Sequence, residues 1–284
     1  MEKPSLDTIK AGAMRFNTDS SQMEIYDGNQ WTGILATSPE LQTGGTRAVF
    51  WHGSPNTDVI QFFNVDSTGN ATDFGDSSRS ARQTGALGSR TRSCCAGGDG
   101  DTRVNIIEFV TIAQTGNAVD FGDLITNSRN GGGFACNQTR GIVAGGRSPD
   151  SNTNVIQFIT MSTLGNSADF GDLTSAMSRG AACANSVRWI NAGGRSPDFT
   201  NTINRLLIPT LGDAVDYGDL LQGTSFLGAA ASTTRAVWAG GYTPSNLDTI
   251  QYKEFVSSAN TIDFGDLLSG RNQVTGSSNG HGGL

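Results

Sequence analysis

The chain has 284 residues, 36% of them hydrophobic and 16% charged, with 38 glycines. That balance suits a large, turn-rich β domain and excludes a coiled coil or a disordered acidic tail. A formal charge of −7 argues against a nucleic-acid partner, and no apolar run approaches the length of a membrane span, so no membrane insertion is expected.

Residues 1–45 lie outside the pattern that governs the rest. Met1–Lys10 is polar, unlike a signal peptide. Gly12–Asn17, Met23–Tyr26 and Asp27–Trp31 alternate apolar and polar residues around turn sequences, which predicts a small β-hairpin or meander. An isolated hairpin is marginal in water, so this segment is expected to pack on another chain or on the rest of its own, and a homo-oligomer through the N-terminal segment is the expected assembly. Leu35–Gly45 has the Pro, Ser and Gly content of a connector, which sets a boundary near residue 45. The expected organisation is an attachment module with its linker at 1–45 and a single large domain at 46–284.

That domain is a repeat. Asp73-Phe74-Gly75-Asp76 returns at Asp120–Asp123, Asp169–Asp172, Asp216–Asp219 (with Tyr217 for Phe) and Asp263–Asp266, the aromatic residues being 47, 49, 47 and 47 positions apart. Each unit also holds a strand opened by an arginine (Arg47, Arg92, Arg140, Arg188, Arg235). This strand closes on Gly-Gly in four copies and on His52-Gly53 in the first. A polar loop, an extended apolar segment, the signature and a run of very small residues follow. Four short runs separated by glycine-rich and Asx-rich turns read as four strands per unit.

A four-stranded unit of this length, repeated five times, predicts an all-β fold, a five-bladed β-propeller with four-stranded blades. Small side chains belong where strands crowd an axis, so the runs at 83–89, 131–137, 180–186, 226–232 and 273–279 are expected to be innermost. The strand at Arg47–Trp51 has no small run before it, and 273–279 has no apolar strand after it. The C-terminal strand is therefore expected to close the first blade, leaving no free sheet edge. The order of landmarks resembles a degenerate kelch repeat over residues 46–280, best in Arg179–Tyr217, with Gly193-Gly194 as the double glycine and Tyr217 where kelch repeats usually carry tryptophan. The usual third-strand Tyr-Asp is missing here.

The N-terminal segment is similar to a short module of tailed-bacteriophage fibre and other virion proteins. Gly12, Arg15, Phe16, Asn17, Thr18, Asp19, Tyr26, Asp27, Gly28 and Trp31 carry the similarity. The resemblance implies a virion structural protein, tail fibre or adhesin-like, anchored to other virion proteins and located in the virion.

The repeated Asp pairs could be catalytic or calcium-binding, but catalysis needs two carboxylates in unlike environments, and equivalent copies point instead to Asp side chains bonding nearby backbone amides, with Gly supplying an unusual φ. The strand-opening arginines are expected to pair with these Asp residues. Cys94, Cys95, Cys136 and Cys183 read as small buried residues, and His52 and His281 are too few for a zinc site. No nucleophile elbow, phosphate loop or paired CxxC occurs; the chain is expected not to be an enzyme and to need no cofactor or metal. Gly-Gly-Arg-Ser-Pro-Asp occurs at 145–150 and again at 193–198, and Tyr242 follows the last double glycine. These turns would gather on one face of a rigid scaffold, where binding usually resides. Arg147, Asp150, Arg195, Asp198 and Tyr242 offer forked donors, acceptors and an aromatic face, the groups that hold sugar hydroxyls and stack on a ring, so a host cell-surface glycan is the expected ligand. The alternatives are a propeller lectin or protein-interaction module, and a capsid or tail decoration without a receptor role. A glycosidase is disfavoured because the unique acids Glu108 and Glu254 fall on third strands rather than near the axis.

Overall fold

The computed structural model describes residues 9–17, 22–33, 46–100, 104–129, 133–148 and 150–276. Every regular element among them is a β-strand. The chain divides into two compact units, Met1–Thr43 and Gly44–Leu284.

In the first unit, Met14–Asn17, Gln22–Tyr26 and Trp31–Gly33 form an antiparallel meander, as the alternation predicts. Asp27 holds the second turn by accepting from the amides of Asn29 and Gln30. One face is tied together: Arg15 pairs with Glu24 at 2.7 Å and lies over Trp31, against which Tyr26 packs. On the other face Met14 opposes Ile25 and Phe16 opposes Met23, and all four are exposed.

The second unit is a succession of antiparallel sheets in the strand order expected. The first sheet is Arg47–Trp51, Thr57–Asn64 and Thr72–Ala81. The second begins with the small-residue strand Gly85–Gly88 and continues through Arg92–Ala96, Ile106–Thr111 and Val119–Asp123. Three more follow the same plan, starting at Gly133–Cys136, Ala181–Ala184 and Gly228–Ala231 and ending at Ala168–Met177, Val215–Asp219 and Ile262–Arg271.

Packing explains the small residues. The small-residue strands of successive sheets adjoin one another, and a Cβ on Gly85 would lie 2.1 Å from the Phe134 ring, one on Gly133 2.6 Å from the Ala182 methyl. Together these strands line a cavity of about 530 Å³ bounded by Ala86, Phe134, Cys183, Ala230 and Gly276. Of the fifth small run, only 273–276 lies within the described residues. Val274 packs on Gly228 and Gly240, and Gly276 approaches the Ala229 carbonyl, which is where the next small-residue strand would run. Among the described residues no strand pairs 274–276 with Arg47–Trp51.

The signature is a β-bulge. In four copies the register shifts between its first Asp and its Gly, which inserts the aromatic residue between them as an extra residue; in the copy with Tyr217 the shift falls between Asp216 and Asp219. In four copies the first Asp accepts from the amide of its Gly, as expected for a local Asx contact. Gly122 has φ +143°, and a Cβ there would meet the Gly165 backbone at 2.5 Å, so both conformation and space require glycine.

The bulged aromatic fills the space between its sheet and the next. Phe121 joins Leu87, Ile107, Val143, Ile159 and Met161 in one cluster, and Phe170 joins Ile156, Trp189, Leu206 and Ile208 in another. Each such burial contributes about 1.5–3 kcal/mol. A buried polar residue on each third strand crosses the same gap: Glu108 accepts from the Ser78 amide, Gln157 from Ile125, Asn204 from Thr174 and Gln251 from Leu221. The fourth gap departs from the pattern, because Lys253 is buried where Val110, Ile159 and Leu206 stand in earlier copies. Its ammonium lies 4.2 Å from the Tyr217 ring centroid and donates to the Tyr217 carbonyl, and burial pushes its pKa down to about 8.

The two end faces are uncovered. Phe264 is 57% exposed, whereas Phe74, Phe121, Phe170 and Tyr217 are at most 8%. Val65 is 64% exposed, while its counterparts Ile112, Met161, Ile208 and Phe255 are buried. Gln61, the counterpart of Glu108 and Gln157, is exposed.

The arginines that open the second strands do not pair with the signature Asp residues. Arg47 opposes Asn64 across the ladder, and the Asp residues lie one strand further out. Arg47, Arg92 and Arg140 instead stack over Phe62, Phe109 and Phe158 and donate to the carbonyls of Ile112, Met161 and Ile208 in the next sheet. Among the described residues the one such arginine with an acidic partner is Arg235, which pairs with Glu254 rather than a signature Asp.

Candidate functional site

The double glycines turn the chain out of each second strand. Gly97, Gly145, Gly193 and Gly240 have φ of 62–67° and the glycines after them 106–118°, conformations open to glycine at low cost. The residue after each pair bridges a residue three or four positions before the small-residue strand of the same sheet: Asp99 to Arg82, Arg147 to Arg129, Arg195 to Ser178 and Tyr242 to Ser225. One register position therefore offers an acid, two bases and an aromatic residue on neighbouring sheets.

Three of the five residues singled out from the sequence meet. Arg147, Asp150 and Arg195 line one cleft of about 370 Å³ with Asn152, Ser178 and Arg179. Arg147 donates to the Asp150 carbonyl at 2.9 Å, and Asn152 donates to the Arg195 carbonyl at 2.7 Å, tying the third sheet's loop to the fourth's. Asp198 is exposed, opposite Ser196 in a two-rung ladder, and does not line the cleft. Tyr242 lies beside it through Phe199: its ring meets Phe199 edge-on at 5.7 Å, and the Arg195 guanidinium lies 5.0 Å over Phe199.

Arg179 was missed. It occupies a turn position where the other copies carry Gln83, Phe226 and Gln273, each at positive φ, so only its departure from that set marks it. Its guanidinium stacks on Phe226, and its Nε is buried without an acceptor. Burial, then the charges of Arg195, Arg147 and Arg129, pull its pKa below the ordinary arginine value. Asp99 neutralises Arg129 at 2.9 Å and approaches Arg82 at 3.7 Å. Among the described residues none of Arg147, Arg179 and Arg195 is in an ion pair.

A second polar cluster lies between the first two sheets. Glu108 accepts from Ser77 and Arg79 at 2.6 Å each, His52 meets Ser77 at 3.0 Å, and the Cys95 sulfur lies 3.4 Å from His52. Burial opposes ionisation of Glu108, but the hydrogen bonds from Ser77 and Ser78 and the Arg79 charge hold its carboxyl below the usual range. The Cys95–His52 contact has the composition of a nucleophile and base but not its chemistry. Burial pushes the Cys95 thiol up to about 12, and burial with the Arg79 charge lowers His52. The described cysteines are all free thiols, and among the described residues no His, Cys, Asp or Glu group is placed to hold a metal. His281 lies outside the described residues.

No protein-family model matches the chain, and no curated protein matches it significantly.

Proposed function

We propose that residues 46–284 form a closed five-bladed β-propeller, and that the chain is a phage virion structural protein of the tail-fibre or adhesin kind, anchored by its N-terminal meander and presenting the double-glycine face to the host surface. The observation that carries the recognition role is the convergence of Arg147, Asp150 and Arg195 on one cleft beside the Phe199–Tyr242 pair. Forked donors next to aromatic faces suit a glycan.

Closure is supported by the register of the two end faces. The last sheet carries Phe264 and the Leu268 amide; the first carries Val65 and Gln61, whose counterparts join the cluster of the bulged aromatic in three of the preceding pairs and accept from the equivalent amide in all four. The anchor is supported by the exposed Met14, Phe16, Met23 and Ile25, an apolar face on a three-stranded sheet too small to stand alone. Other virion proteins and sister chains are the partners this face fits.

Labelled full-length protein is expected to adsorb to host bacterial cells. Replacing Arg147, Arg195 and Tyr242 together by Ala should abolish adsorption while stability changes by no more than about 0.5 kcal/mol per site, as for exposed positions. Unaltered adsorption moves the contact surface to another face; a large loss of stability assigns these residues to their turns alone.

A further inference from the structure

We infer that the cleft of Arg147, Arg179 and Arg195 takes an oxyanion, the carboxylate or sulfate-type substituent of an acidic polysaccharide. The inference rests on reading this face as glycan-binding and narrows the class of glycan. Across the double-glycine positions the face changes character from sheet to sheet. On the second sheet Asp99 answers Arg82 and Arg129. On the third and fourth sheets Arg147, Arg179 and Arg195 converge with no carboxylate of the described residues in ion-pair range, and Asp150 receives the Arg147 guanidinium on its backbone carbonyl. On the fifth sheet the position is Tyr242.

Like charges held together raise one another's free energy, and an anion placed among them relieves it, most strongly where water is partly excluded. Arg179 is the centre of that arrangement. Phe226 fixes its guanidinium plane, a strand-preceding turn at φ +65° fixes its backbone, and the Arg147 and Arg195 loops are joined by Asn152. Guanidinium groups fixed in this way match the geometry of carboxylate and sulfate oxygens. The Phe199 and Tyr242 rings lie next to Arg195, outside the cleft's own lining, so a charged sugar held by its oxyanion would place its neighbour beside aromatic side chains.

The test is binding of the full-length protein to oligogalacturonate, dextran sulfate and unsulfated dextran. We expect binding to at least one acidic probe, none to dextran, and weakening between about 50 and 300 mM salt. Arg179→Gln should reduce affinity tenfold or more, whereas Arg271→Gln, which removes the same charge from the last sheet, should change it less than twofold. Absence of binding to both acidic probes, or equal losses in the two variants, overturns the inference. If host-cell adsorption persists and depends on Arg147, Arg195 and Tyr242 while neither acidic probe binds, the oxyanion site fails and the recognition role stands. If adsorption and probe binding are both absent, both fail.

Discussion

The faces between successive sheets and the two faces at the ends of the array are made of the same residue types at the same register, yet only the former are covered. Phe121 and Phe264 follow the same aspartate, sit in the same bulge and precede glycines of nearly the same φ; one is buried by the next sheet and the other is not. Gln157 and Gln61 differ in the same way, the first accepting from the Ile125 amide and the second facing outward. A residue in an array takes its role from its neighbour as much as from its own strand.

The largest effect expected separates the two aromatics. Phe121→Ala should cost about 3–5 kcal/mol in urea unfolding, the range for emptying a buried aromatic site. Closure of the proposed ring demands a comparable loss for Phe264→Ala; a cost under about 1 kcal/mol would show that the end faces remain apart.

The filled gap around Lys253 sharpens the comparison. Its folded pKa of about 8 lies below the ordinary 10.5, so the folded chain holds fewer protons here than the unfolded chain between those values. Stability is penalised in full below pH 8 and recovers as pH rises towards 10.5. Lys253→Met should therefore raise the melting temperature at pH 7, by an amount equivalent to roughly 1–2 kcal/mol after loss of the bond to the Tyr217 carbonyl. The advantage should shrink by pH 10. Buried Cys94, Cys95 and Cys183, pushed up to about 12, act in the opposite direction above pH 9, but equally in both proteins. An advantage independent of pH would mean that Lys253 is not held in its depressed state.

The smallest effect concerns the crossing amides. Gln157→Ala removes the nearer of the Ile125 amide's two acceptors, leaving the Ser167 hydroxyl at 3.0 Å, and should cost about 0.5–1.5 kcal/mol. Gln61→Ala should match it only if Gln61 reaches Leu268 across a closed seam, and should be within about 0.5 kcal/mol of wild type otherwise.

Most of the strand order was legible because its causes are local. Gly-Gly, the Asx contact at Asp120 and the small residues of Ala181–Ala184 each state a backbone requirement that needs no partner to be read. The arginine contacts were not legible. Arg92 has aspartates in its own unit, and only the pairing that places Phe109 beside it and Met161 beyond it shows why it bonds a carbonyl. At the site, Arg147 and Arg195 could be found because their hexapeptide repeats. Arg179 could not, because its importance comes from three arginines far apart in sequence that meet at one cleft.

The uncovered end faces bear on how such a chain is made. Phe264 is synthesised roughly 200 residues after Val65, so the first sheet waits with its apolar face in water while the rest of the array emerges. Unlike, complementary ends on one molecule form a ring when they meet each other and an open-ended string when they meet another molecule. Tethering favours the ring, since effective concentrations within a chain reach the order of millimolar. On crowded polysomes, where nascent first sheets and finished last sheets lie close together, that advantage is smallest. Slow translation of the final repeat would therefore be expected to lower the yield of monomer without altering the stability of the monomer that forms.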